Sequence, residues 1–405
     1  MNLRQVFLSV LVLGLSLTCA QTGRPVLTGL DNLLENRSST LSGKRIGIVT
    51  NQTGVDRTGI PIWEKIDATA LFSPEHGLFG EVSDGEAVSY DGRRGGMPRI
   101  HSLYGKTRKP TAEMLEDIDL VLYDIMDIGV RTYTFISTMG LVMEAAGEAD
   151  IPVWILDRPN PITGAHVGGP SLHPEYRSFV GYYPIPLQYG LTPGELAQMI
   201  VGEGWIEFKP DLEVIPLVSW SRDKWYDETG LSWVPPSPNI PDLETAIVYP
   251  GLVLVEATNV SEGRGTDHPF LWVGAPWIDG ELLSREMNTL HLPGVSFQAV
   301  EFTPRHMPGI ATHPKYEGFR CQGIETKVTD RDSFGSVKTG LALLVTLNRL
   351  YPLKFEVRKK RMNRLAGTDL VIRALQNGWS VSEIYSRYAQ DIETFRAVSK
   401  RYLIY

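Results

Sequence analysis

The sequence predicts an α/β protein, a doubly wound parallel sheet followed by a smaller α+β C-terminal region. Three observations carry that prediction. Short, wholly apolar runs alternate with helix-like segments in the first half, as a parallel sheet with covering helices requires. Gly and Pro punctuate these runs throughout. From about residue 246 the pattern changes to strand-like segments and then to two helices.

The elements follow in chain order. Arg45–Val49, Ala68–Phe72, Leu120–Ile125 and Val153–Leu156 read as buried strands, being short, apolar and bounded by turn residues. Between them Thr111 is placed to cap a helix over Ala112–Asp117, and Phe135–Gly147 carries the small and apolar face of a packed helix. Thr192-Pro193-Gly194-Glu195 has capping-box spacing with Pro at the first helical position, so a helix opens there. Leu212–Pro216 adds a further strand. Beyond residue 246, Ile247–Glu256 and Val295–Phe302 read as strands, and Ser336–Leu350 and Val381–Tyr388 as helices.

The 405 residues, 42% hydrophobic and 21% charged, can bury a large core and suggest two domains. Lys and Arg total 39 against 47 Asp and Glu, a net charge of −8, and no basic run is seen that could track a phosphate backbone. Nucleic acid is therefore not an expected partner. At the N-terminus, Arg4, the apolar run Val6–Leu17 and the small-residue site Thr18-Cys19-Ala20 read as a secretory leader over residues 1–20, cleaved before Gln21. The run is too short for a spanning helix, which needs about 17–25 residues, and no later segment supplies one. Cys19 offers a lipoprotein alternative, but Ser16-Leu17-Thr18 before it lacks the expected Leu and small residue. With Cys19 removed, Cys321 has no internal disulfide partner and reads as a packed thiol.

In an open α/β sheet, ligands bind beyond the carboxyl ends of the strands. Here those ends carry Asn51 after the first strand, Glu75-His76 after the second, Asp124 and Asp127 at the third, and Asp157 and Asn160 after the fourth. Asn51, Asp157 and Asn160 are also what turns and caps prefer for conformational reasons alone. Glu75-His76, pinned between Pro74 and Gly77, makes poor cap chemistry and points more firmly to function. Asp127 and Arg131 form either an ion pair at a helix entrance or part of a site, and Tyr133 is either core or a platform for a sugar. A second cluster runs from Glu256 through Asn259 and Glu262 to Arg264-Gly265-Thr266 and looks like a binding loop. Its Arg264, between two glycines, could meet a carboxylate bidentately, whereas the plain alternative is a solvated turn.

Other chemistries are disfavoured by missing motifs. No Gly-x-Gly-x-x-Gly follows the first strand, no Gly-x-x-x-x-Gly-Lys-Ser/Thr occurs, and no Gly-x-Ser-x-Gly elbow is present, so no nucleotide cofactor is expected. His76, Asp124 and Asp127 could hold a divalent ion, but zinc-type His and Cys spacings are absent and no metal is assigned.

Taken in order, Thr50-Asn51-Gln52-Thr53-Gly54, Ser73-Pro74-Glu75-His76-Gly77, Tyr123-Asp124 through Arg131-Thr132-Tyr133-Thr134, Leu156-Asp157-Arg158-Pro159-Asn160-Pro161 and Glu256-x-x-Asn259-x-Ser261-Glu262-Gly263-Arg264-Gly265-Thr266 resemble the exo-β-N-acetylmuramidase family, glycoside hydrolase family 171. The resemblance runs from about residue 45 to the C-terminus. It implies a Rossmann-like catalytic domain over 21–246, an accessory C-terminal domain over 247–405 and an active-site cleft between them. It also implies exported turnover of cell-wall peptidoglycan, with N-acetylmuramic acid released from the non-reducing ends of its saccharides. On this footing Glu75 is expected to be the general acid, partly buried so that it arrives protonated, with His76 orienting it or touching the sugar. Asp124, Asp127, Glu256, Glu262 or the substrate's own acetamido group remain open as the second group. Arg131 and Arg264 are the expected readers of the lactyl carboxylate that distinguishes muramic acid from glucosamine. Two rivals stand beside this: a non-catalytic module that holds cell-wall sugars, and a metal-dependent amidase or esterase built on His76, Asp124 and Asp127.

Overall fold

The computed structural model describes residues 25–83, 85–87, 92 and 95–405; the expected leader and Cys19 lie outside them. The N-terminal half contains strands β1 (Ile46–Thr50), β2 (Ala70–Ser73), β3 (Arg99–Ser102), β4 (Leu120–Asp124) and β5 (Val153–Leu156). After these come a two-stranded ribbon, β6 (Gly168–Ser171) with β7 (Pro186–Gln188), and then β8 (Leu212–Ile215). Six strands form one parallel sheet in the order β3-β2-β1-β4-β5-β8. Counted within the sheet this is 3-2-1-4-5-6, the order of a Rossmann sheet. The strand order reverses between β1 and β4, where Thr50 pairs with Asp124.

Both faces of this sheet are covered, which is why its strands read as unbroken apolar runs. In β4, Leu120 and Leu122 enter one core with Leu30 and Leu33 of helix α1 (Gly29–Asn36). The alternate residues Val121 and Tyr123 enter the other core, with Ile136 and Met139 of α4 (Phe135–Glu148) and Leu196 of α5 (Pro193–Gly202). Helices α2 (Ile62–Lys65) and α3 (Ala112–Leu115) are single turns. Thr111 stands at the N-cap of α3 but makes no side-chain cap bond there. The capping box at α5 is formed as its sequence requires: the Thr192 hydroxyl accepts from the Glu195 N–H, and Glu195 accepts from the Thr192 N–H.

The C-terminal half holds α6 (Leu243–Leu252), β9 (Trp272–Ala275), α7 (Gly280–Asn288), β10 (Val295–Phe302), β11 (Cys321–Val328), α8 (Ser336–Leu350), α9 (Lys359–Ala366), α10 (Leu370–Asn377) and α11 (Val381–Ser399). Its sheet is antiparallel, in the order β10-β11-β9. Ile247–Glu256, expected as a strand, is instead the body of α6 and a following 3₁₀ turn, Val253–Ala257. Asp242 starts α6 by accepting from the Thr245 N–H at 2.8 Å. Pro250 lies inside the helix, and the Ser336 hydroxyl bridges the gap by accepting from Gly251 N and donating to Val248 O. Gly251 and Gly340 let α6 and α8 cross in backbone contact, since a Cβ on Gly251 would stand 2.0 Å from the Ser336 carbonyl oxygen. Cys321 is a packed thiol at the start of β11, and burial pushes it up to about 11.

One apolar core runs from Val49 and Phe72 through α4 and α6 to Ile392 and Phe395 of α11. The two halves are therefore packed on a shared interior, with a cleft open on one side.

Candidate active site

The cleft has a volume of about 590 Å³ and is walled by both halves. From the N-terminal half it receives Glu75 and His76 beyond β2, and Thr132, Tyr133 and Thr134 before α4. From the C-terminal half it receives Tyr249, Glu256, Arg264, Phe270 and the basic residues of α9.

Glu75 sits on a tight turn. His76 has φ 67° and Gly77 φ 78°, and the Gly77 N–H donates to the Pro74 carbonyl. A left-handed backbone at a non-glycine residue costs on the order of 1–3 kcal/mol and persists only where its surroundings enforce it. His76 Nδ1 donates to the Val82 carbonyl at 2.8 Å, which leaves Nε2 as the acceptor in the neutral ring. Its ring meets Phe135 edge-on at 6.4 Å. Glu75 is only 5% exposed, yet its carboxyl lines the cleft. The Thr134 hydroxyl donates to Oε2 at 2.5 Å, and the Gly85 N–H donates to Oε1 at 3.0 Å.

An aromatic floor lies beside it. Tyr133 packs edge-to-face on Phe135 at 4.9 Å and on Tyr249 at 6.1 Å, and Tyr249 packs on Phe270 at 4.8 Å. Burial pushes the Tyr133 hydroxyl well above the ordinary tyrosine value, so it stays protonated. Arg264 lies over the Phe270 ring at 5.2 Å and pairs with Glu256 at 2.7 Å. Glu256 also holds Arg361 at 2.6 Å, and Glu262 is bound by Lys315 at 2.8 Å. Burial pushes the Glu262 carboxyl up, but Lys315 and Arg264 outweigh it and leave it below the usual value. Glu262 lines a smaller recess, shared by Glu256, Arg264, Arg358 and Arg361, rather than the main cleft.

The other expected site residues do not reach the cleft. Asp124 is fully buried in a bidentate pair with Arg158, at 2.5 and 2.8 Å. Burial raises its carboxyl and Arg158 pulls it back only in part. Asn51 Oδ1 accepts from the Thr53 N–H and hydroxyl, closing the loop after β1. Asp127 accepts from Gly129 N and from the Tyr189 hydroxyl. Asp157 holds the start of α5 through the Gly194 N–H and the Thr192 hydroxyl, and also accepts from the Tyr405 hydroxyl. Asn160 ties its loop to the Leu191 carbonyl, and Asn259 ties its own to Lys354 O and Glu356 N. Arg131, the expected carboxylate reader, is wholly buried; Nη1 donates to Pro170 O and Ile185 O, and Nη2 to Leu365 O. These residues shape the site without lining it.

His76, Asp124 and Asp127 do not converge as metal donors. Among the described residues such a group of donors occurs on an exposed loop, at His306, His313 and Glu317. A short basic run that the sequence reading passed over, Arg358-Lys359-Lys360-Arg361 with Arg364, brings Arg358, Lys360, Arg361 and Arg364 to the cleft lining. Thr132, Thr134, Ser237, Asn239 and Tyr249 are further lining residues that the sequence reading did not select.

A Rossmann-like half and a smaller half with an antiparallel sheet wall one cleft with a buried carboxyl in it, an arrangement that fits a glycosidase. The chain belongs to the exo-β-N-acetylmuramidase NamZ family, whose N-terminal profile matches residues 46–244 and whose C-terminal profile matches residues 247–405. It is 46% identical over 388 residues to the peptidoglycan β-N-acetylmuramidase NamZ of Bacillus subtilis, covering 94% of this chain and 91% of that protein. Crystal structures of two DUF1343 family proteins from Bacteroides fragilis share the fold. One has a TM-score of 0.86 and 34% identity, the other 0.75 and 31%, each covering 94% of this chain and 99% of the other.

Proposed function

We propose that the protein is an exported exo-β-N-acetylmuramidase that releases N-acetylmuramic acid from the non-reducing ends of peptidoglycan fragments, with Glu75 as the general acid. The carrying observation is the placement of Glu75: 5% exposed, fixed by Thr134 and the Gly85 N–H, and facing the cleft between the halves. Glycoside hydrolysis needs a carboxyl that protonates the departing oxygen and a second group that answers the positive charge growing at the anomeric carbon. Glu256 lines the same cleft, and its two guanidinium partners, Arg264 and Arg361, suit it to the role of the charged second group. The aromatic floor of Tyr133, Tyr249 and Phe270 suits the apolar face of a sugar ring. Kinship with the Bacillus subtilis enzyme supports the substrate class.

Glu75→Gln should lower release of N-acetylmuramic acid from a natural muramyl disaccharide by about 10²–10⁴-fold while leaving the melting midpoint nearly unchanged. Near-normal turnover by that variant would remove Glu75 from the acid role. Export is tested separately, by N-terminal sequencing of the protein recovered outside the cytoplasm, where Gln21 is the expected first residue.

A further inference from the structure

Apart from Arg361, the basic wall of α9 is not used by the chemistry above. Arg361 is engaged by Glu256. Arg358, Lys360 and Arg364 also line the cleft, and among the described residues their side chains meet no carboxylate, carbonyl or ring. Their placement is electrostatically unfavourable in two ways. Lys360 and Arg364 are like charges one turn apart, a spacing that destabilises a helix. Lys359, Lys360 and Arg361 crowd the first turn of α9, the positive end of its dipole, and no acidic residue sits in that turn. A short helix that brings Arg358 and Lys360 at its start and Arg364 in its last turn to the wall of a cleft, none of them facing a carboxylate, is arranged for an anion that arrives with the ligand.

The rest of the fold holds this wall in place. Arg131 Nη2 donates to Leu365 O on the inner side of α9 at 3.0 Å. Gly367, at φ 76°, ends the helix against the same guanidinium, where a Cβ would stand 2.5 Å from Arg131 Nη2. The cleft also offers a buried polar group without a hydrogen-bond partner among the described residues, Thr132 Oγ1, on a residue 6% exposed. A buried hydroxyl left unbonded in a cleft awaits a polar ligand.

We propose that Arg358 and Arg364, supported by Lys360, form an anion subsite that reads the free carboxylate of the 3-O-lactyl group on the muramic acid ring, making them the specificity-determining residues. This rests on the muramidase reading above. It moves the carboxylate reader from Arg131, whose Nη1 and Nη2 donate to backbone carbonyls away from the cleft lining, to the helix that Arg131 anchors. Glucosaminides lack the group altogether, so the cations would stay uncompensated when one occupies the cleft.

The test separates this subsite from the activity. Calorimetric titration of the full chain with free N-acetylmuramic acid and with its methyl ester reads the subsite without breaking any bond. Hydrolysis of a chromogenic muramide reads the activity. The acid is expected to bind at least about tenfold more tightly than the ester, and the ratio should fall to near one in Arg358→Ala/Arg364→Ala. Arg364→Gln alone should give an intermediate ratio. Because each ratio is internal to one protein, partial misfolding does not imitate the effect. Equal binding of acid and ester by the unaltered chain, no measurable binding of the acid, or a preference that survives in the double variant each overturns the proposal. Muramide hydrolysis accompanied by equal binding would leave the activity standing and remove the subsite. A carboxylate preference lost with the two arginines, but without muramide hydrolysis, would do the reverse.

Discussion

The Thr134 hydroxyl meets Glu75 Oε2 at 2.5 Å and ties the turn beyond β2 to the entrance of α4. The bond fixes one carboxyl oxygen and so aims the other face of the group.

Removing that bond should cost rate rather than fold. Thr134→Val, nearly isosteric, is expected to lower kcat by roughly tenfold with little change in KM, since the carboxyl remains but is less well aimed. Glu75→Gln should lose more, on the order of 10²–10⁴-fold. Its deficit should be larger on a natural disaccharide than on a nitrophenyl muramide, whose leaving group needs less protonation. Steady-state kinetics on both substrates checks the ordering, and equal deficits would argue against proton donation.

Asp124 and Arg158 form a pair 0% and 3% exposed, so its rupture strands a charge in the interior. Asp124→Asn is expected to lower unfolding stability by about 3–5 kcal/mol. Turnover per folded molecule should stay within a few-fold of normal, because Asp124 lies outside the cleft lining. Urea titration with active-site counting reads both quantities, and loss of turnover without loss of stability would return Asp124 to the chemistry.

Stability should also depend on pH through Asp127. Burial pushes its carboxyl up to about 7, against the pull of the Tyr189 hydroxyl and the Gly129 N–H. The unfolded chain titrates near ~3.9, so the folded form binds the proton more tightly. The resulting stabilisation is complete below about pH 4 and is lost as pH rises through about 7. Asp127→Asn, which imitates the protonated group, should therefore lose less stability than the parent between pH 5 and pH 8. Asp157, also raised to about 7 by burial, keeps part of the slope in both proteins. Urea midpoints at the two pH values provide the comparison.

For Arg131, burial pushes the guanidinium down to about 9, and three carbonyls depend on it. Arg131→Met should lower the melting midpoint markedly, since each buried carbonyl left without a donor costs about 1–3 kcal/mol. The folded fraction should keep its preference for muramides over glucosaminides. A lost preference at unchanged stability would mean that Arg131 itself touches the sugar.

Much of the architecture was legible in the sequence because β1, β4 and β5 are buried on both faces, so no polar residue interrupts their apolar runs. β3 was missed, being four residues long and carrying Arg99 and His101. The α6 segment misled for a physical reason: from Thr245 to Ala257 every residue is buried, so no polar face reveals the helical period, and Val and Ile weight it towards a strand. In the site, Glu75-His76 stood out because turn chemistry does not explain it, and it does line the cleft. Asn51, Asp157 and Asn160 were equally visible but fasten loops and helix ends, as their conformational preferences allow. The α9 cations were hidden by a net charge of −8, which averages away a local run.

The uninterrupted interior that joins Val49 to Phe395 has an evolutionary corollary. Neither half is a portable module: cut free, each would expose a broad oily face, and a graft of one onto another partner would have to carry the matching surface with it. Variation in what the enzyme accepts is therefore expected to arise by exchanging side chains along the rim, above all on α9, with the pairing of the halves left intact.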